Sequence, residues 1–472
     1  MSDIKQIRDG VKLSFGQQLS LLVKLAMPAI MAQLSTILMQ YIDASMVGRL
    51  GADDSASIGL MNSSLWLFWG VCSTLTMGFS VQVAHKLGAK KDAEARAIVR
   101  QGILACAIAG SVIALIGVAI AFPLPHWLGG APQICHNSSI YFLVFASALP
   151  ILTMNYLGSG MLRCAGNMLA AGLLNVGMCV LDVVFNFLLI FPTHHLDIFG
   201  LQISIPGADL GVLGAALGTV LAECCCAAGV MYVLLFRQKE LRLFGRKEKG
   251  SFIPHKDMLK RAGRISAPMM MQQGFLSLAQ IMITVIVAPL GVVAIAANAF
   301  AVTAESLCYM PAFGIGDAAT TLTGQCLGAK RHYLMKRFCW LSVGLGVFTI
   351  SCLSVLMYIG ADFMMGIMTP VAAIRDLGAE VLRLEAWAEP MYGASIVCYG
   401  AFVGVGDTLI PAIMNFGSIW VVRIPLAAIM APIFGLRGVW LAMVIELSFR
   451  GLIFLWRMFS GAWYRRARRQ EV

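Results

Sequence analysis

The sequence predicts an all-α integral membrane protein with twelve transmembrane helices, arranged as two six-helix lobes that are related by a parallel internal repeat. Three observations lead to this fold class: the composition, a series of long apolar runs, and the similarity of the two halves. Of the 472 residues, 59% are hydrophobic and 12% are charged, whereas charged residues make up about 25% of an average soluble domain. The longest polar stretch, residues 237–264, is too short to fold as a separate soluble catalytic domain.

The membrane spans are located by runs that hold few or no charged residues, since about 20 apolar residues cross the hydrocarbon core of a bilayer. Run 101–162 must contain two helices, with a break at Pro123, Pro125 and Gly129–Gly130. Run 265–304 is long enough to turn back, and its second helix continues past Glu305. Twelve spans are predicted from these runs: 25–42, 55–85, 101–162, 164–192, 210–236, 265–304, 338–361, 390–406, 408–432 and 438–456.

Several function classes are disfavoured by what the sequence lacks. Residues 245–251 do not end in the Gly-Lys-Ser/Thr of a phosphate-binding loop, so we do not expect ATP hydrolysis. No His-Glu-x-x-His or similar spacing is present, and His194–His195 lies in a predicted outer loop, so we expect neither an enzyme nor a metal site. The thirteen cysteines lie in apolar stretches and are interpreted as packing residues. Residues 1–17 are polar, so the first span is expected to serve as the insertion signal.

The orientation follows from lysine and arginine, which are in excess in short cytoplasmic loops. Residues 86–100, 237–264, 330–337 and 465–469 all fall on one side of the membrane, together with Arg163. Both termini are therefore predicted to be cytoplasmic, in a multi-pass protein of the cytoplasmic (inner) membrane. The net charge of +11 is explained by this bias and by contact with anionic lipid, so we expect the lipid bilayer as a partner and no nucleic acid.

An internal repeat relates the two halves at a fixed offset of 240 residues. Residues 25–90 align with residues 265–330 without a gap and share 14 identities, including the four-residue segments at 87–90 and 327–330. Each half holds six spans, an even number, so both insert the same way up about an axis along the membrane normal. We therefore predict an N-terminal lobe at 1–236, a cytoplasmic linker at 237–264, a C-terminal lobe at 265–460 and a basic tail at 461–472.

Several motifs together resemble the MATE (multidrug and toxic compound extrusion) transporters over nearly the whole chain. They are the run from Tyr41 to Gly51, the segments 85–90 and 324–330, Val180-Leu-Asp182, and Gly211-Val-Leu-Gly214-Ala-Ala216. The resemblance implies a cation-coupled antiporter, without a cofactor beyond the transported H⁺ or Na⁺. Its implied cargo is a small organic, often cationic, compound, and no obligate protein partner is evident. The alternative is a lipid-precursor flippase of the same superfamily, which would need a cationic cavity for phosphates.

Intramembrane carboxylates are the first candidates for function, because a charge at mid-bilayer costs about 2.5–3.5 kcal/mol on insertion scales. Six acids qualify: Asp43, Asp182, Glu223, Glu305, Asp317 and Glu446. The repeat places Ile283 opposite Asp43 and Val422 opposite Asp182, so the scaffold does not need acids at these two positions. This asymmetry predicts a cation site in the N-terminal lobe. Because Asp43 lies near the end of its span, a solvated position at the membrane interface is the alternative for that residue.

The resemblance implies further members of this cation site. In related proteins an acid in the first span and an acid in the fifth are joined by an asparagine and by a threonine in the sixth span, which Asp43, Asp182 and Thr219 match. Met178 occupies the asparagine position. Asn186 and Asn175, on the face of Asp182, are the candidate substitutes. Two carboxylates in a low-dielectric cleft repel each other and lose water, which favours proton coupling, with sodium coupling as the alternative.

The remaining polar residues of the spans are assigned to an ion pair, to a second site or to the substrate path. Glu446 and Arg450 are four apart, the spacing of a structural ion pair. Glu305 is expected to meet a cationic substrate or to complete a second ion site, and Arg423 to meet a carboxylate of its lobe. Met31, Gln33 and Gln273 join Glu305 as candidates for the substrate path, although methionine also fills packing gaps. Pro28 removes a backbone hydrogen bond within the first span and is predicted to allow a kink there.

Overall fold

The computed structural model describes residues 2–198, 201–244 and 250–464. The basic segment 465–469 and part of the predicted linker, 245–249, lie outside the described residues. The N-terminal half comprises α1 (Ser2–Arg8), α2 (Phe15–Gly48), α3 (Ala52–Gly88), α4 (Asp92–Ile120), α5 (Leu124–Trp127), α6 (Pro132–Cys164), α7 (Met168–Ile190), β1 (Pro192–Ile198), β2 (Leu201–Ala208) and α8 (Gly211–Tyr232), which a π-helical turn (Val233–Arg237) extends.

The described part of the C-terminal half contains helices, joined by short turns, and no strand. It comprises α9 (Lys256–Val287), a 3₁₀ turn (Ala288–Leu290), α10 (Val292–Gly328), α11 (His332–Met368), α12 (Ala372–Glu385), α13 (Glu389–Gly404), α14 (Leu409–Gly417), a π-helical turn (Ser418–Arg423), α15 (Ile424–Phe434) and α16 (Leu436–Ser460). The first nine residues of α9 fall within the range assigned to the linker, and the lobe boundaries themselves stay a prediction.

The membrane architecture agrees with the predicted fold class. Within the described ranges, eleven helical segments are long and apolar enough to cross a bilayer. The tenth predicted span is formed by two shorter helices in succession, α12 and α13. The two helices begin before the predicted span, 390–406, because a search for runs with few charges excludes the charged residues before Pro390. They lie instead on a helix whose exposed acid Glu380 pairs with Arg437.

The repeat is visible in the ends of equivalent helices. Lys90 and Lys330 follow α3 and α10, and both have left-handed backbones, with φ of 60° and 56°. Positive φ is uncommon for residues other than glycine, and here it closes the same helix-ending turn twice. The amide of Lys91 donates to the carbonyl of Lys86, and that of Arg331 donates to Cys326, each at 2.9 Å. One segment of sequence therefore builds the same turn in both halves.

The two halves meet symmetrically where α3 and α10 end. Gly88 lies directly against the carbonyl of Gln325, and Gly328 lies against that of His85, so a Cβ at either glycine would collide with backbone. Adding 240 to the residue numbers 85 and 88 gives 325 and 328, so the two contacts are equivalent by the internal repeat. His85 also bonds the carbonyl of Gly404 through Nε2 at 2.8 Å, across the halves. We call this part of the bundle, which also holds α1, the basic end.

The opposite end carries a β-hairpin, where the sequence predicts an outer loop. Strands β1 and β2 pair antiparallel, with Pro192 opposite Ala208 and Ile198 opposite Leu201. The hairpin connects α7 to α8, the helices that carry Asp182 and Thr219. All thirteen cysteines are free thiols, as their apolar surroundings predict.

Candidate functional site

The centre of the N-terminal half holds two carboxyl groups joined by one amide. Asn186 Nδ2 donates to Asp43 Oδ1 at 3.0 Å and to Asp182 Oδ2 at 3.1 Å. Asp182 and Asn186 lie one turn apart on α7 and are 0% and 1% exposed, and Asp43 reaches them from α2. Asp43 itself is only partly buried, and its bond with Asn186 joins it to the two buried residues of α7.

The cluster is incompletely satisfied. Asp182 Oδ1 and Asn186 Oδ1 are buried, and no described residue forms a hydrogen bond to either atom. Gly218 of α8 lies against Asn186 Oδ1, which a side chain at that position would displace. The hydroxyl of Thr219, the next residue, contacts the Asp182 carboxyl group. Because two adjacent carboxylates in a dry site repel strongly, the arrangement can bind a proton or a small cation.

The second candidate asparagine lies elsewhere on α7. Asn175 Nδ2 donates to the carbonyl of Ala32 at 3.2 Å and to the hydroxyl of Thr36 at 3.1 Å, both on α2. Asn175 thus links α7 to α2 through these two hydrogen bonds, neither of which involves Asp43 or Asp182. Met178, at the position where the resemblance expects asparagine, is buried among apolar side chains. Of the two substitutes, Asn186 joins the acids and Asn175 holds the helices together.

Pro28 lies within α2, which is continuous at this point and is contacted by two other helices. Gly172 of α7 lies against the Pro28 carbonyl, and Gly314 of α10 lies against the backbone of Ala29 and Ile30. Glycine at both points lets three helices approach at backbone distance beside the proline. A bend at Pro28 would have to occur at this contact.

The candidate residues for the substrate path lie on three different helices. Met31 is half exposed on α2, and Gln33 is half-buried on the same helix. Gln273 of α9 lies against Gly70 of α3, across the two halves. An apolar cavity of about 290 Å³ lies between α2, α10 and α11, and Met27, Ile30, Leu34 and Pro311 are among its lining residues. Met31, Gln33, Gln273 and Glu305 do not line that cavity.

The C-terminal half contains an acidic cluster that the sequence prediction missed in part. Glu305 of α10, Glu385 of α12 and Glu389 of α13 are all buried, with ligand oxygens within 4.8 Å of one another. None of the four oxygens of Glu385 and Glu389 is hydrogen-bonded within the described structure. Arg423 lies within electrostatic reach of Glu305 and Glu385. The signal that could have found Glu385 and Glu389 is their spacing of four on either side of the junction between α12 and α13.

The remaining candidate acids each have a partner. Glu446 and Arg450 form the expected ion pair, with Oε1 and a guanidinium nitrogen 2.7 Å apart, and Ser418 of the π-helical turn donates to the same carboxylate. Asp317 faces Arg163 at 3.5 Å across the halves. Glu223 of α8 accepts from Asn155 of α6 at 2.6 Å.

A family model named MatE matches the chain twice, at residues 28–188 and 268–429. The two matches start 240 residues apart, which is the offset of the internal repeat, and together they cover well over half of the chain. This chain is a member of the MatE family. The resemblance drawn from its motifs is thereby confirmed, and MatE proteins are transporters and not enzymes.

Two curated relatives show how far the sequence similarity extends. The chain is 27% identical over 455 residues to a probable multidrug resistance protein NorM of Thermotoga maritima, covering 94% of this chain and 93% of the relative. It is 24% identical to a protein of the same name from Bacillus anthracis, covering 95% and 96%.

The solved structures share the fold at lower identity. A MOP superfamily transporter from Pyrococcus furiosus superposes with a TM-score of 0.85 at 21% identity, over 96% of this chain and 99% of that one. The outward-facing conformation of a multidrug resistance MATE family transporter gives 0.84 at 22% identity, over 96% and 100%. The MatE fold of two six-helix lobes is thus the fold of this chain.

Proposed function

We propose that this MatE protein is a proton-coupled antiporter that exports small organic, often cationic, compounds by alternating access. The observation that carries the proposal is the pair Asp43 and Asp182, joined by Asn186 in the N-terminal half. The cargo class is supported by the curated relatives, which are named as probable multidrug resistance proteins. Buried acids do not suit the phosphates that a lipid-precursor flippase would hold, which favours the export of cations.

The orientation of the Asn186 amide supports a proton over sodium as the coupling ion. Its N–H groups point at both carboxylates, whereas its oxygen lies against Gly218 on the other side. A sodium ion needs oxygen ligands around it, and an amide donor directed at both acids occupies the place where it would bind. A proton requires no such shell and can lie on either carboxyl group.

The coupling step follows from the loss of charge. When a proton binds the pair, the carboxyl groups accept more weakly from Asn186, because hydrogen bonds to an ionised group are roughly twice as strong as neutral ones. The link between α2 and α7 is then weaker, and α2 can shift at Pro28, where its backbone hydrogen bonding is already interrupted. The same loss of charge lowers the affinity for a cationic substrate, which is released as the proton enters.

The membrane assignment is part of the same proposal. We place the protein in the cytoplasmic (inner) membrane with both termini and the basic end in the cytoplasm, because the basic end carries the lysine and arginine excess. The N-terminal lobe is residues 1–236, the linker 237–264, the C-terminal lobe 265–460 and the tail 461–472. Lipid, the coupling proton and the organic substrate are the partners.

The experiment is ethidium or norfloxacin transport in reconstituted vesicles, with a pH gradient in one arm and a sodium gradient in the other. We expect the pH gradient to drive transport by the wild type. The rate of this transport should be at least tenfold lower in Asp43→Asn and in Asp182→Asn. The matched control is Asp362→Asn, an exposed acid that pairs with Arg383 at 2.5 Å, which should transport like the wild type. Wild-type transport under neither gradient would reject the proposal.

The sodium arm also examines the C-terminal acids. The three adjacent carboxyl groups of Glu305, Glu385 and Glu389 offer oxygen ligands without a bridging amide, which suits a second cation site. A sodium response that disappears in Glu389→Gln and survives in Asp182→Asn would assign sodium to this cluster and would contradict coupling through the N-terminal pair alone.

A further inference from the structure

Glu223 is a partly buried acid that the coupling step above does not use. It lies on α8, four residues after Thr219, so the two side chains share one face of the helix. Thr219 contacts Asp182, and Glu223 is within electrostatic reach of the same aspartate. One turn of α8 thus leads from the acid pair to a second acid of the N-terminal half.

The amide of Asn155 holds Glu223 in a fixed direction. Asn155 Nδ2 donates to Glu223 Oε2 at 2.6 Å, and its oxygen accepts from Ser159 at 3.4 Å and from the Cys226 thiol at 3.5 Å. Because both donors engage the amide oxygen, the amide nitrogen is directed at the carboxylate. The hydrogen bond from Asn155 therefore fixes the orientation of the Glu223 carboxylate, which can accept a proton.

A polar face of α6 continues from this point towards the basic end. Asn155, Ser159 and Arg163 follow one another at intervals of four residues and lie on one face. Arg163 faces Asp317 of the other half at 3.5 Å, and the two side chains are 29% and 23% exposed. Water therefore reaches the Arg163 end of this row, whereas Asp182 of α7 is fully buried.

We propose that Glu223 is the proton acceptor between the pair Asp43 and Asp182 and the basic end of the protein. This inference rests on the proposed proton coupling and extends it to the route by which the proton leaves. The proton passes from the Asp182 carboxyl group through the Thr219 hydroxyl, which can accept one proton and donate its own. Asp182 becomes a carboxylate, Glu223 becomes a neutral acid, and Glu223 then gives the proton to water along the Ser159 and Arg163 face.

The groups around Glu223 fit an acceptor that is not already paired with a positive charge. Its recorded hydrogen bond is with a neutral amide, and Arg163 lies two turns further along α6 than Asn155. The titratable groups within electrostatic reach on the surrounding helices are Tyr156 of α6, Cys179 and Asp182 of α7, and Cys224 and Cys226 of α8. Asp182 is the acid among them, so it is the proton donor to Glu223.

The test compares Glu223→Gln with Glu223→Asp in vesicles, using ethidium as the substrate. Glutamine keeps an oxygen that can accept from Asn155 but cannot carry the proton, whereas aspartate can carry the proton with a shorter reach. We expect Glu223→Gln to lose at least tenfold of the transport driven by a pH gradient, and Glu223→Asp to retain more than Glu223→Gln. Exchange of labelled for unlabelled ethidium at equal pH requires no net proton movement and should stay within twofold of the wild type in both variants.

A structural role for Glu223 predicts the opposite ranking, with Glu223→Gln at least as active as Glu223→Asp, and that result would overturn the inference. The inference would also be overturned if Glu223→Gln transported ethidium at the wild-type rate under the pH gradient. It would be overturned equally if this variant lost ethidium exchange as well as transport driven by the gradient. Thr153→Val is the matched control, because Thr153 is a buried residue of α6 that bonds its own helix at Leu149. A wild type that does not respond to the pH gradient would instead show that the proposed coupling itself is wrong.

Discussion

At the scale of single residues, the N-terminal acid pair depends on Asn186. Its amide is the recorded hydrogen-bond donor to both Asp43 and Asp182, and it lies one turn from Asp182 on the same helix. Such a bridge has two effects: it holds the carboxyl groups in place, and it links α2 to α7. Leaving a buried partner without its hydrogen bond costs about 1–3 kcal/mol.

We predict that Asn186→Ala reduces transport driven by a pH gradient by about tenfold, which corresponds to roughly 1.4 kcal/mol and lies within that range. Asn175→Ala should instead lower thermal stability, because Asn175 bonds Ala32 and Thr36 and not the acids. Vesicle transport and thermal unfolding in detergent, measured on both variants, separate the two roles. Equal losses of transport in the two variants would contradict the distinction.

At the scale of elements, α2 is the helix that connects the acid pair with the contact between the halves. Pro28 lies 15 residues before Asp43 on this helix, a distance of about 22 Å at 1.5 Å per residue. Gly172 and Gly314 bring α7 and α10 against the helix beside Pro28. A change at Asp43 can therefore act on the packing between the halves through one continuous helix.

We predict that Pro28→Ala slows export by tenfold or more, because alanine restores the missing hydrogen bond and favours a straight α2 by up to about 3 kcal/mol. The control is Pro432→Ala, at an exposed proline within α15, which should transport at close to the wild-type rate. The measurement is pH-driven efflux from vesicles with Asp43→Asn alongside. Normal export by Pro28→Ala together with failure of Asp43→Asn would show that bending is dispensable.

At the scale of the whole molecule, the N-terminal segment ties the two halves together at the basic end. Arg331, in the turn between α10 and α11, donates to the carbonyls of Gln6, Ile7 and Val11 at 2.7–3.3 Å. On the other side, Arg8 of α1 pairs with Asp92 of α4 at 2.5 Å. One short segment thus contacts a helix start in each half, at the same end as the symmetric contacts of Gly88 with Gln325 and of Gly328 with His85.

We predict that Arg331→Ala lowers the free energy of unfolding by about 2 kcal/mol, since a hydrogen bond to a charged group contributes about 1.5–3 kcal/mol. The control is Arg337→Ala, whose recorded contact is with the exposed ring of Tyr333; it should change stability by less than about 0.5 kcal/mol. Thermal unfolding in detergent measures both. An unchanged melting temperature in Arg331→Ala would show that the segment does not hold the halves together.

The sequence by itself determined the spans, the duplication and the candidate pair Asp43 and Asp182. Hydropathy is a local property that can be summed along the chain, and a repeat keeps its register in the sequence. The same local reasoning failed at α12, where charged residues on an amphipathic helix resemble a loop, so Glu385 and Glu389 were missed.

Only the tertiary structure decided which side chains meet. Helical spacing places both Asn175 and Asn186 on the face of Asp182, yet only the packing of α2 against α7 brings Asn186 to the two acids. The bond of Asn155 to Glu223 joins residues 68 positions apart on different helices, and no periodicity records it. Periodicity fixes the face of a helix on which a residue lies, but the partner on that face depends on how the helices cross.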